Sequence, residues 1–216
     1  MQTQTFIGKT NLLHRVLSHK VNRLMARLAA GDKPDVLERR WLFTGPPGVG
    51  KTSLATALVG EILGQPWSLE SSNPSVDYLN GSGLTIDVVR AWTEEAHYRP
   101  MFGEVSIKFV DEIDAISNAA LTDIRTYLDR LAPHRIFIAT TNRAVEQLQP
   151  QLQSRFQIFE FSPVQTSEIA DYLVTKYGLD VPTARRIATG AAGNGRAAEL
   201  DAVTELDVRA CRAIAA

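Results

Sequence analysis

The stretch GPPGVGKT at residues 45–52 constrains this chain more than any other feature. It matches the pattern G-x-x-x-x-G-K-[ST] in full, and it stands between a compact apolar run, WLFT, and a helical segment, TSLATALVGEIL. Strand, loop and helix in that order are the context in which the pattern cradles phosphate. Gly48 and Gly50 let backbone N–H groups turn inward around an anion, and Gly45, Pro46, Pro47 and Val49 complete the loop. Lys51 is placed to reach the β- and γ-phosphates of a nucleotide and Thr52 to offer its hydroxyl to Mg²⁺. Ser53 continues the helix whose positive end faces the same anion. The expected ligand is a nucleotide bearing β- and γ-phosphates, with Mg²⁺.

Apolar strands and amphipathic helices alternate on either side of this loop. VDYL reads as a strand, followed by the turn NGSG and a helix through IDVVRAWTEEA. RPMFG breaks the chain before the strand VSIKFV. Leu121, Ile124, Leu128 and Leu131 then recur at helical steps, and RIFIAT and QIFEF supply two further strands. Such alternation implies an α/β fold of the P-loop NTPase type, a parallel sheet flanked by helices. After Pro163 the pattern changes, and TSEIADYLVTKYG, VPTARRIATGAAG and GRAAELDAVTELDVRACRA all read as helices. The expected organisation is a nucleotide-binding domain over 1–162 and a small helical domain over 163–216. Upstream, Leu13, Leu17, Val21, Leu24 and Leu28 predict an amphipathic helix over 11–30, closed by GDKPD.

The formal net charge of −1 excludes a globally basic nucleic-acid binder but leaves room for a local basic strip. Cys211 is the single cysteine, so no intramolecular disulfide can form, which fits a reducing compartment. The opening MQTQTFIGKT has neither the basic nor the apolar part of a signal peptide, and no apolar run is long enough to span a bilayer. A cytoplasmic protein with no membrane partner is expected. His14, His19, His97 and His134 lack metal-ligand spacing. Trp41, Trp67 and Trp92 are too scattered to form a stacking platform, and Tyr172 and Tyr177 read as packing residues.

FVDEID at residues 109–114 sets acidic side chains directly after an apolar strand, about 60 residues beyond the phosphate loop. Asp111 is placed to hold Mg²⁺ through its water shell and Glu112 to orient and polarise an attacking water. Asp114 reads as an acid at a helix start or in solvent.

With both motifs in place, the chain resembles an AAA+ ATPase over nearly its whole length. GPPGVGKT is similar to Walker A and IKFVDEID to Walker B. TTN at 140–142 resembles sensor 1, which implies that Asn142 touches the γ-phosphate or its water. FIGK at 6–9 resembles the family's N-terminal box, which implies Phe6 and Ile7 near the adenine. GNGR at 193–196 resembles sensor 2, which implies Arg196 as a γ-phosphate contact carried by the lid. Within the family the chain looks closest to clamp-loader subunits, phage ones included. YLNGSGLTIDVVR at 78–90 is similar to their strand end and helix start, and LQSRF at 152–156 resembles their S-R-C element, with Phe156 in place of the cysteine. The resemblance implies that Arg155 is an arginine finger acting on a neighbouring subunit, and that Thr85, Ile86 and Arg90 contact a DNA backbone. Asn80 has two readings, ordinary turn chemistry or a restraint on Glu112 until a partner binds. Arg143, after sensor 1, could also stand near an interface. Clamp-loader subunits continue past the lid into a helical collar, whereas this sequence stops at Ala216. It is expected either to be truncated or to assemble through its ATPase core alone.

The function expected on these grounds is MgATP binding, self-assembly into a ring or spiral homo-oligomer, and hydrolysis coupled to DNA or a DNA-bound partner such as a sliding clamp. Two rivals differ in what they require. A protein-remodelling motor acting on a protein client would thread it past an aromatic-glycine loop, and none is evident between residues 70 and 90. A scaffold that only binds ATP has no need of the water-orienting Glu112.

Overall fold

The computed structural model describes residues 39–214. The helix expected over 11–30 and the box containing Phe6 and Ile7 lie outside the described residues. Those residues form two compact units, one comprising 39–45 with 51–160 and the other 46–50 with 161–214.

The first unit is built on a parallel sheet. Its strands are β1 (Arg40–Thr44), β2 (Val76–Asn80), β3 (Ser106–Asp111), β4 (Arg135–Thr141) and β5 (Gln157–Glu160), in the order β2-β3-β4-β1-β5. β1 and β4 are buried along their whole length, as expected where helices cover both faces of a sheet. The helices are α1 (Lys51–Leu63), α2 (Ile86–Glu95), α3 (Asn118–Asp129) and the short α4 (Pro150–Gln153). Sequence periodicity indicated the first three. It missed α4, whose single turn is too short to show a period and begins on Pro150.

One core joins Trp92 of α2, Tyr127 and Leu128 of α3, and Phe137 of β4, with Phe156 packed on Phe137 at 5.8 Å between ring centroids. Phe156 is thus a core residue, and its aromatic ring fills a place the S-R-C pattern gives to a cysteine. Elsewhere in the unit Phe43 meets Phe159 at 5.4 Å and Trp67 meets Phe109 at 6.2 Å. All three tryptophans are buried core residues, each contributing on the order of 2–3 kcal/mol by removing apolar surface from water.

Register decides which ends of the strands meet. Thr44 pairs with Thr141, Asn80 with Asp111 and Val110 with Ala139, so the carboxyl ends of β1, β2, β3 and β4 lie along one edge. Ligands of open α/β sheets bind at that edge. The crossover after β1 runs to the far strand β2, whereas the one after β4 passes β1 to reach β5.

The second unit holds α5 (Thr166–Tyr177), α6 (Val181–Gly190) and α7 (Gly195–Ile214) around a core of Ile169, Leu173, Ala184, Ile187, Ala198 and their neighbours. Tyr172 and Tyr177 pack edge to face at 6.4 Å. Lys176 sits over both rings and forms an ion pair with Glu199 at 2.6 Å. Among the described residues, no helix is long and apolar enough to cross a membrane.

Candidate active site

The chain leaves β1 at Thr44 and enters α1 at Lys51 through the glycine-rich loop. Gly45, Gly48 and Gly50 adopt φ of 137°, 77° and 97°, which are accessible at little cost only without a side chain. No acidic side chain occupies the first turn of α1, so its amide groups face an anion site without competition. In the second unit, Gly48 lies against Asn194: Gly195 N donates to Gly48 O at 3.0 Å, and a Cβ on Gly48 would fall 1.8 Å from Asn194 Oδ1. Asn194 caps α7 by accepting from Ala197 N at 3.0 Å, and Arg196 follows as an exposed residue of the first turn.

Around Lys51 the sheet edge collects four elements. Lys51 is buried, and its Nζ donates to Gly45 O at 2.8 Å and to Asn142 Oδ1 at 2.9 Å. Thr52 Oγ1 donates to Asp111 Oδ1 at 3.0 Å. Asp111 ends β3, and Glu112 follows in the left-handed region at φ 56°, ψ 53°. That conformation is uncommon for a residue with a side chain, and such strain concentrates at functional sites. Both Glu112 carboxylate oxygens accept amide hydrogens, one from Asn80 Nδ2 at 3.2 Å and the other from Asn142 Nδ2 at 3.4 Å. Burial, followed by the charges of Asp111 and Glu112, raises the pKa of the adjacent Tyr78 phenol, so it stays neutral.

Sequence reasoning anticipated Lys51, Thr52, Asp111, Glu112 and Asn142, and the structure brings these five together. Asn80 makes the turn contact, its Oδ1 accepting from Ser82 N at 3.1 Å, and its Nδ2 donates to Glu112 Oε2, the bond that a restraint on Glu112 requires. Asp114 is an acid at a helix start, as expected, in the single turn Ile113–Ala115, and it also accepts from Thr141 Oγ1 at 2.6 Å and lies 3.7 Å from Arg143, which ties the ends of β3 and β4 together.

Thr140 was not singled out from sequence. Its hydroxyl donates to Asp111 Oδ1 and accepts from Glu112 N at 3.0 Å, so one side chain aligns both acids. Its signal was its place in TTN, where three adjacent polar residues end a buried strand. Gly81 was seen only as a turn residue, yet a Cβ there would lie 2.1 Å from the Glu112 carbonyl oxygen.

Three expected residues lie apart from this group. Thr85 caps α2 by accepting from Val88 N at 3.4 Å, Ile86 begins that helix, and Arg90 is largely exposed, with Nε 3.6 Å from Asp123. Arg155 is also elsewhere. It immediately precedes Phe156 and β5, and β5 starts in register with the start of β1, with Trp41 opposite Gln157. Lys51 follows the other end of β1, so the strand's length, roughly 15 Å, separates the two edges. Arg155 donates instead to Asp129, the last residue of α3.

The donor chemistry suits a magnesium nucleotide. Paired hydroxyl and carboxylate oxygens at Thr52 and Asp111 are the hard ligands Mg²⁺ takes, and the buried Lys51 supplies a cation of the kind that binds phosphate. Among the described residues, no group of three or more His, Cys, Asp or Glu side chains forms a metal cage. Mg²⁺ is commonly held by one or two protein oxygens and the phosphates themselves.

A P-loop fold with this edge defines a nucleotide hydrolase. The model of the ATPase family associated with various cellular activities (AAA) matches residues 41–164, and the chain belongs to that family. It is similar to the replication factor C small subunit of Methanocella arvoryzae, at 33% identity over 162 residues, covering 73% of this chain and 47% of the relative. The replication factor C small subunit of Methanosarcina barkeri is 35% identical over 144 residues, covering 65% and 40%. The chain spans about half the length of these relatives. Among solved structures, the RuvB Holliday junction branch migration motor of Thermotoga maritima superposes with a TM-score of 0.62 at 21% identity, covering 89% of this chain and 63% of that one. That likeness establishes the fold. The chain is an AAA ATPase related to the replication factor C small subunit, in agreement with the clamp-loader resemblance of its motifs.

Proposed function

We propose that this ATPase binds MgATP, self-assembles into a ring or spiral, and couples hydrolysis to engagement of DNA or a DNA-bound partner in the manner of a clamp loader. The observation that carries this reading is the placement of Arg155 at the amino edge of the sheet, while Lys51, Asp111, Glu112 and Asn142 gather at the carboxyl edge. An arginine so placed is out of reach of its own phosphate site and is available to a neighbour's.

Bound MgATP supplies the phosphoanhydride and the metal charge. The loop amides of 45–50 and the Lys51 ammonium bind the phosphates, and Thr52 and Asp111 hold the metal. Glu112 orients a water and takes up its proton, and Asn142 fixes that carboxylate relative to Lys51. Arg196, and Arg155 from the adjacent subunit, neutralise charge as it builds on the transferring group. Ser53 continues the anion-facing turn, and Phe6 and Ile7 remain the proposed adenine contacts. This reading includes a cytoplasmic setting and a division into core (1–162) and lid (163–216).

The amino end of α2, with Thr85, Ile86 and Arg90, is the proposed DNA-backbone contact, supported by the exposure of Thr85 and Arg90. A sliding clamp is the proposed protein partner. Its support is the loop after α2, which leaves Tyr98 73%, Met101 89% and Phe102 54% exposed. Three large apolar side chains in one exposed loop mark a contact surface.

The test is ATPase rate and particle mass, with and without DNA, for the wild type, Glu112→Gln and Arg155→Ala. Expected are ATP-dependent oligomers, DNA-stimulated turnover, loss of turnover in each variant, and partial recovery when the two variants are mixed. Full turnover in Arg155→Ala would overturn the trans arrangement. Turnover indifferent to single-stranded, duplex and junction DNA would overturn the DNA coupling.

A further inference from the structure

Arg155 does not hang free at the amino edge. Its Nε donates to Asp129 Oδ1 at 2.8 Å and its Nη2 to Asp129 Oδ2 at 2.7 Å, a two-point fork in which the carboxylate takes one edge of the guanidinium. Nη1 donates to the carbonyl of Gln151 at 2.6 Å. Gln151 is itself tied down, since its side-chain oxygen accepts from Arg125 Nη1 of α3. These bonds use three of the five N–H groups a guanidinium carries and leave two.

We propose that Asp129 is a positioning residue for the arginine finger: it holds the Nε–Nη2 edge of Arg155 so that the remaining N–H groups point toward the nucleotide of an adjacent subunit. This rests on the reading of Arg155 as a trans finger. Two observations favour alignment over mere stabilisation. The pair is open to solvent on the Asp129 side, with 50% of that side chain accessible against 25% of the half-buried Arg155, and ion pairs that solvent reaches add little to folding stability. A bidentate fork instead fixes the plane of the guanidinium, which a single contact leaves free to rotate. The pair is also anchored at both ends. Asp129 ends α3, whose Tyr127 and Leu128 are buried in the core, and Arg155 is followed at once by the buried Phe156. A finger works only if its charge is already in place when negative charge develops, and a displacement of about 1 Å can cost on the order of a hundredfold in rate.

The test uses mixed oligomers with defined faces. Glu112→Gln subunits supply fingers to Arg155→Ala subunits, whose own sites are intact, and this mixture sets the reference turnover. Asp129→Ala is then added either to the finger donor or to the chain that lacks the finger. The expected result is a fall in kcat of about tenfold in the first mixture, with KM for ATP within about twofold, and reference turnover in the second. Asp129→Asn in the donor, which keeps one acceptor oxygen and loses the charge, is expected to give an intermediate rate. Particle mass with MgATP is measured in each case to establish equal assembly. An equal fall in both mixtures would reduce Asp129 to a structural role and overturn the proposal. An unchanged or faster rate in the first mixture would overturn it too, the faster rate marking the pair as a latch that restrains the finger. No recovery in the reference mixture would instead overturn the trans-finger reading itself.

Discussion

Asn80 at the end of β2 donates to the carboxylate of Glu112, just past the end of β3, at 3.2 Å across the strand pair that sets Asn80 opposite Asp111. If this bond restrains Glu112, Asn80→Ala removes a net interaction of about 1 kcal/mol, and unstimulated ATP turnover rises about fivefold. Stimulation by DNA shrinks by a similar factor. Steady-state ATPase assays with and without DNA check both, and a fall in unstimulated turnover would show that Asn80 aligns Glu112 instead.

Thr140→Val keeps the shape of the side chain and removes its hydroxyl. Asp111 loses a donor and the Glu112 N–H loses its acceptor. The expected cost is about 1–3 kcal/mol of stability for the unpaired groups, read by urea unfolding. Turnover is expected to fall about tenfold, with a higher Mg²⁺ requirement, as the two acids lose their common anchor.

Gly81→Ala sets a methyl group against the Glu112 carbonyl, 2.1 Å from a Cβ built at that position. Backbone cannot yield there as a flexible side chain would. The left-handed turn that aims Glu112 is expected to shift, lowering kcat about tenfold or more while nucleotide affinity stays within about twofold. Fluorescent nucleotide titration beside turnover separates the two effects.

Acid is expected to weaken the contacts that Asp180 makes in the second unit. A side-chain hydrogen bond from Arg209, then bonds from the backbone and side chain of Thr183, hold the Asp180 carboxyl well below the ordinary carboxylate value. A lowered folded-state value means that the contribution is present above about pH 4, where an unfolded Asp ionises, and is lost as pH falls further. Asp180→Asn should therefore lower the Tm at pH 7, and the gap from wild type should close toward pH 2. Circular dichroism melts at several pH values check this.

Met101→Glu and Phe102→Glu put charge on the exposed loop after α2, at 89% and 54% exposed positions. Surface changes of this kind are expected to shift stability by no more than about 0.5 kcal/mol and to leave unstimulated turnover intact. Stimulation by a sliding clamp from the same source is expected to drop about tenfold or more if the loop carries an apolar anchor of the contact. Unchanged stimulation would remove the loop from that role.

Much of the site was legible because its chemistry is local. GPPGVGKT carries its own turn and helix start, and Asp111 and Glu112 are adjacent on a strand whose apolar run announces its burial. Asn142 was legible only through the resemblance of TTN to sensor 1. Thr140 was not, because a threonine within an apolar run reads equally as β-branched filler. Its hydroxyl acquires a role only when β4 lies beside β3 with Ala139 opposite Val110. Gly81 was hidden in the same way, since its constraint comes from Glu112, 31 positions away in sequence.

The sequence by itself determined the strands, the phosphate loop, the acidic pair and the change to helices after Pro163, because each is written in spacing that a short segment enforces through its own backbone. Only the tertiary structure decided that Asn80 and Asn142 clasp one carboxylate, that Arg155 sits at the opposite edge from Lys51, and that Asp129 holds it there. Those relations depend on strand order and register, which arise when separate segments bury their apolar faces together, and no local pattern encodes which ends will then be neighbours.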